Sequence, residues 1–220
     1  MKLVVRIGGS ILGSPPKAEM VESYCSALLS LASEGNRIGV VVGGGKIARK
    51  FIKIARELNL PHDKQDMVAI DISRVNAHIF SMKLGINIVP RNIGSMISVL
   101  ESRGIGVMGG LKPGITTDTV AALLSTRWDA DLLVKCSDQL GIYSADPKKY
   151  KDAKKLNSTT YEELARILGG EHRPGIHSIV DPVAVNYLMQ KRVRMVVIDG
   201  SDPTNLIRAV KGEKIGTVVD

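Results

Sequence analysis

Aromatic residues are scarce in this chain: one tryptophan, five tyrosines and two phenylalanines make up 4% of 220 residues. A surface that binds single-stranded nucleic acid by stacking bases needs more of them. Cysteine is scarcer still. Cys25 and Cys136 each lie in an apolar context, and with His62, His78, His172 and His177 they form no metal-ligand spacing. Two buried thiols fit a reducing compartment. No apolar run approaches the roughly 18 residues that span a membrane, and residues 3–7 are too short for the core of a signal peptide. A cytoplasmic protein with no membrane partner is expected. Three familiar nucleotide signatures are also missing: Gly-x-x-x-x-Gly-Lys-Ser/Thr, Gly-x-Gly-x-x-Gly, and the protein-kinase set. Walker-type loops and dinucleotide-binding Rossmann sites are thereby disfavoured.

What is present is a soluble, globular composition, 44% apolar and 24% charged, long enough for one large core. The net charge of +8 suits nucleic acid, an acidic membrane surface or small polyanions. The one dense basic patch, Lys148, Lys149, Lys151, Lys154 and Lys155, reads as a solvated loop face. No nucleic-acid recognition motif accompanies the charge, and no nucleic-acid partner is expected.

Hydrophobic patterning alternates strand and helix almost throughout. Strands are expected over residues 3–7, 38–42, 86–90, 105–108, 131–136, 141–144, 194–198 and 216–219. Helices are expected over 17–32, from 46 or 47 to 58, and over 66–83, 96–101, 119–125, 160–168, 182–191 and 203–210. Residues 169–177 read as a loop. Asp181 before Pro182 has the form of an N-cap. The fold class is therefore α/β, a three-layer αβα sandwich around a mainly parallel sheet. Ligands in such sheets lie at the carboxyl ends of the strands.

Three glycine clusters fall at those ends. The first is Arg6-Ile7-Gly8-Gly9-Ser10, where bare backbone can approach phosphate oxygens beside a permanent cation. In the second, Gly43-Gly44-Gly45, the glycines precede a helix with Lys46 and Arg49 in its opening turns. Cations there oppose the helix dipole, and a phosphate between them would explain their placement. The third is Gly109-Gly110-Leu111-Lys112-Pro113-Gly114-Ile115-Thr116-Thr117-Asp118, in which Thr117 or Asp118 is suited to cap the next helix.

In these motifs, together with Asp66 to Asn76 and Ser137 to Lys149, the sequence resembles the amino acid kinase superfamily, and within it the archaeal type of uridylate kinase. The match runs in order along nearly the whole chain. The resemblance implies an amino acid kinase fold in a single domain over 1–220, with roughly 1–130 binding the acceptor and making oligomer contacts and 131–220 binding ATP. It implies phosphoryl transfer from ATP with Mg2+ to UMP, in pyrimidine nucleotide biosynthesis, by a homohexamer built from dimers. Helix 66–83 would contribute to a dimer interface through Ile70, Val75 and Ile79.

It also implies residue roles. Arg6, Ile7, Gly8, Gly9, Ser10 and Gly45 would line the ATP phosphates, assisted by Arg49, with Ser137, Tyr143 and Asp146 on the nucleoside side. Gly44 would contact the UMP phosphate and Asp66 its ribose. Lys112, Pro113, Gly114, Ile115, Thr116, Thr117 and Asp118 would wrap base and phosphate. Arg6, Lys46 and Asp138 would be the catalytic charges, and the metal would be held mainly by the nucleotide. Two departures stand out: arginine at position 6, where many members carry lysine, and Leu140, where a second carboxylate is usual. A sister kinase, such as one acting on isopentenyl phosphate, and a nucleotide- or oxyanion-binding protein without turnover are the alternative readings.

Overall fold

The computed structural model describes residues 1–145, 147, 150–169 and 179–220. Asp146, Lys148, Lys149, His172, His177 and most of the expected 169–177 loop lie outside the described residues. In chain order the elements are β1 (Lys2–Ile7), α1 (Ala18–Ser33), β2 (Arg37–Val42), α2 (Gly45–Glu57), α3 (His62–Lys83), α4 (Ile93–Arg103), β3 (Ile105–Met108), α5 (Thr117–Arg127), β4 (Leu132–Ser137), β5 (Ser158–Thr159), α6 (Tyr161–Gly169), α7 (Pro182–Lys191), β6 (Met195–Asp199), α8 (Thr204–Val210) and β7 (Thr217–Val219).

The strands form one sheet in the order β3-β2-β1-β4-β6-β7-β5. Neighbours are parallel except β6 with β7. Strand alternation sends Leu3, Val5 and Ile7 to one face, where they pack with α1, α3 and α8. Val4 and Leu133 go to the other, under α4, α5, α6 and α7. Both faces are covered, so the central strands read as nearly continuous apolar runs. Each fully buried Leu, Val or Met contributes about 1.5–3 kcal/mol relative to exposure.

The same alternation puts Arg6 on the α5 face, at the carboxyl end of β1. In the β1–β4 register Arg6 stands opposite Lys135. Thus two cations close the apolar stack just where α5 begins.

Several expected elements differ. Residues 86–90 are not a strand. They lie outside the sheet, and the Ser81 hydroxyl serves both backbone groups of Ile88, accepting from its N–H at 3.2 Å and donating to its carbonyl at 2.8 Å. Residues 141–144 make only a single bridge, Tyr143 with Lys155, because a threonine hydroxyl, Thr217 Oγ1, takes the Ile142 N–H. β5 was not anticipated, since two residues leave no pattern. α3 begins one turn before residue 66, and Ile70 is buried rather than facing outward with Val75 and Ile79. The cap of α5 is Thr116, whose side chain accepts from Thr119 N–H, not Thr117 or Asp118. Asp181 caps α7 as expected, accepting from Val183 N–H at 2.9 Å.

Candidate active site

The first two glycine clusters interlock at the carboxyl ends of β1 and β2. A Cβ on Gly9 would stand 2.3 Å from the Gly45 nitrogen, and Gly45 itself has φ +66°. Only glycine allows these two backbones to approach so closely. The Gly43 carbonyl is tied down by Asn76 Nδ2 at 2.9 Å. Helix α2 then starts with no side-chain cap and no acidic residue in its first turn. Its opening N–H groups are therefore suited to an anion.

The third cluster is held against α3. Ser73 Oγ accepts from Gly110 N–H at 2.7 Å, Arg74 donates to the carbonyls of Gly110 and Leu111, and Asp66 Oδ2 accepts from Gly114 N–H at 2.8 Å. From the far side Asp181 Oδ2 accepts from the hydroxyls of Thr116 and Thr119. A loop of ten residues is thus fixed at both ends by side chains from α3 and α7.

Two cavities result. One, of about 210 Å³, is lined by Gly44, Asp66, Ser73, Gly110, Ile115, Thr116 and Thr117, among others. The second, of about 230 Å³, is lined by Arg6, Gly8, Ser10, Arg49, Asp118, Lys135, Ser137, Asp138, Gln139 and Ile179. Arg6 belongs to the second and Thr117 to the first, and a 3.1 Å hydrogen bond from the guanidinium to the Thr117 hydroxyl joins them.

Charge is concentrated at that junction. Asp118 Oδ1 lies 2.7 Å from Arg6 Nε, and its Oδ2 lies 2.5 Å from Lys135 Nζ. The Arg6–Asp118 contact is an ion pair by distance but not aligned as a hydrogen bond. Burial alone would raise the Asp118 carboxyl, yet the charges of Arg6 and Lys135 prevail and hold it below the usual carboxylate range. Burial pulls the Lys135 ammonium down to about 8 against the opposing attraction of Asp118. Burial pushes the Cys136 thiol up to about 12, so it is no nucleophile.

The profile of the amino acid kinase family matches residues 1–199. The chain belongs to this family. It is 37% identical to the uridylate kinase of Hyperthermus butylicus over 99% of this chain and 97% of that one. It is 38% identical to the uridylate kinase of Methanothermobacter thermautotrophicus over 100% and 99%. The crystal structure of uridylate kinase from Archaeoglobus fulgidus superposes with a TM-score of 0.92 at 34% identity, covering both chains fully.

In this amino acid kinase, the three glycine clusters meet on one rim, as their positions at strand ends require. Gly44, Asp66, Ile115, Thr116 and Thr117 share the first cavity. Arg6, Gly8, Ser10, Arg49, Ser137 and Asp138 share the second. Lys46 is exposed and lines neither, whereas Arg49, one turn on, lines the second. Lys112, Pro113, Gly114 and Tyr143 line neither cavity directly. Asp118 faces Arg6 and Lys135 rather than the first cavity. Sequence reasoning missed Ser73, Arg74 and Lys135. For Lys135 a signal existed: it is the one charge inside the apolar run Leu132 to Cys136.

Proposed function

We propose that this amino acid kinase is a uridylate kinase, transferring the γ-phosphoryl group of ATP to UMP and releasing ADP and UDP, and that it serves pyrimidine nucleotide supply in the cytoplasm. The observation that carries the reading is the pair of cavities joined at the Arg6–Thr117 hydrogen bond. Relatives of this length and identity bear the name uridylate kinase, which supports the choice of acceptor.

UMP occupies the cavity under residues 109–118, with Asp66 accepting from the ribose hydroxyls and Gly44 and Thr117 at its phosphate. ATP occupies the other cavity, its phosphates over Gly8, Ser10 and the first turn of α2. Both halves of the chain furnish the donor side, Arg6 to Arg49 from residues 1–130 and Lys135 to Gln139 from 131–220. Phosphoryl transfer needs in-line placement and positive charge on the moving oxygens more than covalent help. Arg6 stands between the cavities, where that charge develops. The acceptor phosphate is already ionised near neutral pH, so no general base is needed.

Among the described residues no group of three or more His, Cys, Asp or Glu side chains could hold a metal ion. Asp138, exposed at the donor cavity, is a single carboxylate beside a phosphate cradle. That donor set fits magnesium carried in by the nucleotide. When bound, the ion neutralises charge on the donor phosphates.

Two apolar stripes are exposed: Phe51 and Ile54 on α2 with Leu58 at its C-cap, and Val75, Ile79 and Met82 on α3. Their helical spacing gives each a continuous face of the kind covered in assemblies. They support self-association through these helices, and the homohexamer built from dimers is the assembly that the resemblance implies.

The test is an acceptor panel of UMP, CMP, isopentenyl phosphate and acetylglutamate with ATP. ADP release is expected with UMP; release only with a non-nucleotide acceptor overturns the reading. In Asp66→Ala the KM for UMP is expected to rise roughly tenfold or more, the loss of a charge-assisted contact, with ATP little affected.

A further inference from the structure

We propose that Lys135 is a second phosphate-binding cation of the donor cavity, working beside Arg6, with Asp118 as the positioning residue that holds both. The inference rests on the reading of that cavity as a nucleotide site.

The parallel register of β1 and β4 places Arg6 directly opposite Lys135 on the same face of the sheet. Asp118, in the first turn of α5, reaches over both and gives one oxygen to each. A lysine needed only to neutralise Asp118 would be redundant, because the Arg6 guanidinium already lies 2.7 Å from the same carboxylate. The Lys135 side chain is only 6% exposed, and a cation is not buried at a second-hand partner without a reason.

That reason is available in the cavity wall. Lys135 lines it together with Arg6, Arg49, Gly8 and Ser10. The wall carries three cations, Arg6, Arg49 and Lys135, against two carboxylates, Asp118 and Asp138, and Asp138 is exposed to solvent. Asp181 attracts Lys135 from α7, but its carboxylate is occupied by Thr116, Thr119 and the Val183 N–H. The positive surplus is left facing an open, polar space beside the first glycine loop, at Gly8 and Ser10. A polyphosphate supplies the missing negative charge.

The geometry also explains why both side chains are fixed. Arg6 is directed by Thr117 and Asp118, and its third nitrogen lies near the Gly8 backbone, where a Cβ would stand 2.9 Å from it. Lys135 is directed by the other oxygen of Asp118. Two rigid cations at neighbouring register positions can contact different oxygens of one phosphate chain with little reorganisation, which is the form of electrostatic assistance that phosphoryl transfer uses.

The experiment is calorimetric titration of ATP and, separately, UMP into wild type, Lys135→Met and Lys135→Arg, in magnesium buffer. In Lys135→Met the ATP Kd should rise roughly tenfold, the weight of one charge-assisted hydrogen bond, while the UMP Kd stays within about twofold and Lys135→Arg recovers most of the loss. An unchanged ATP Kd, or equal losses for ATP and UMP, overturns the proposal. Should the methionine variant not fold, the wild type with 13C-labelled lysine decides. The Lys135 ammonium should hold its proton to higher pH with ATP bound than without, and an unmoved titration overturns the proposal. Binding is read independently of turnover, so a wild type that binds ATP but phosphorylates no UMP overturns the functional reading alone, and Lys135 is still decided by the affinities.

Discussion

The Arg6 guanidinium donates to the Thr117 hydroxyl across 3.1 Å, and this contact joins the end of β1 to the first turn of α5 at the wall between the two cavities. It fixes the direction of the arginine, since Thr117 holds one terminal nitrogen while Asp118 lies against Nε. An arginine so held keeps its charge in one place, as the proposed transfer requires of it.

Thr117→Val removes the hydroxyl and preserves the shape. The guanidinium then loses one of its two directing partners. The expected result is a fall in kcat of roughly tenfold, consistent with one hydrogen bond to a charged group. Steady-state kinetics with varied ATP and UMP check it, and a kcat close to wild type would mean that Asp118 alone positions Arg6.

Position 9 tests the interlocked loops. In Gly9→Ala the new methyl would stand 2.3 Å from the Gly45 nitrogen and 2.5 Å from the Gly43 carbonyl, both backbone atoms that cannot step aside. Overpacking of this kind costs about 1–3 kcal/mol and here also displaces the start of α2. Gly94→Ala is the matched control. Residue 94 is exposed in α4, and its nearest obstacle is the Asn92 side chain at 3.5 Å. That variant should be neutral or more stable by about 0.5–1 kcal/mol, from helix propensity. The thermal unfolding midpoint should therefore fall in Gly9→Ala and hold or rise in Gly94→Ala, with activity lost only in Gly9→Ala.

The alternation Leu3-Val4-Val5-Arg6-Ile7 already places Arg6 on the face opposite Leu3, and Asp181-Pro182 announces a helix start without ambiguity. The α5 cap was less legible, because Thr116, Thr117 and Asp118 are all good capping residues. The choice is made by tertiary contacts: Arg6 and Lys135 engage Thr117 and Asp118, while Asp181 takes Thr116. Residues 86–90 misled for a different reason. Ile86, Ile88 and Val89 have strand propensity, but the chain there passes outside the sheet and a serine side chain satisfies its backbone. The convergence of three glycine loops followed from parallel topology. The Arg6–Asp118–Lys135 cluster did not, because it depends on the register of two strands distant in sequence.

The exposed stripes on α2 and α3 make a prediction about assembly. Val75 and Ile79 are 55% and 42% exposed, one helical turn apart. If copies meet through this face, Val75→Glu with Ile79→Glu places two charges in a dry contact. Sedimentation should show the wild type as a multiple of the 23.7 kDa chain and the double variant shifted towards the monomer. A wild-type monomer at micromolar concentration would remove the basis for the proposed hexamer.

The buried cluster also predicts a pH dependence whose sign follows from Lys135. Its ammonium is pulled from the ordinary lysine value of 10.5 down to about 8 by burial, with Arg6 on β1 acting in the same direction and Asp118 on α5 and Asp181 on α7 opposing. Between these values the unfolded chain binds a proton that the folded chain has released. The contribution of Lys135 to stability therefore rises with pH above about 8, the reverse of a lysine stabilised by its partner. Nucleotide binding should show the opposite trend. A polyphosphate favours the charged ammonium, so above pH 8 ATP must bind together with a proton, and its affinity should fall by up to about tenfold per pH unit. Titrations at pH 9 in buffers of different ionisation enthalpy measure that proton uptake directly. Lys135→Arg, charged throughout the range, should lose both the uptake and the decline. If the arginine variant keeps the wild-type decline, the titrating group is not Lys135.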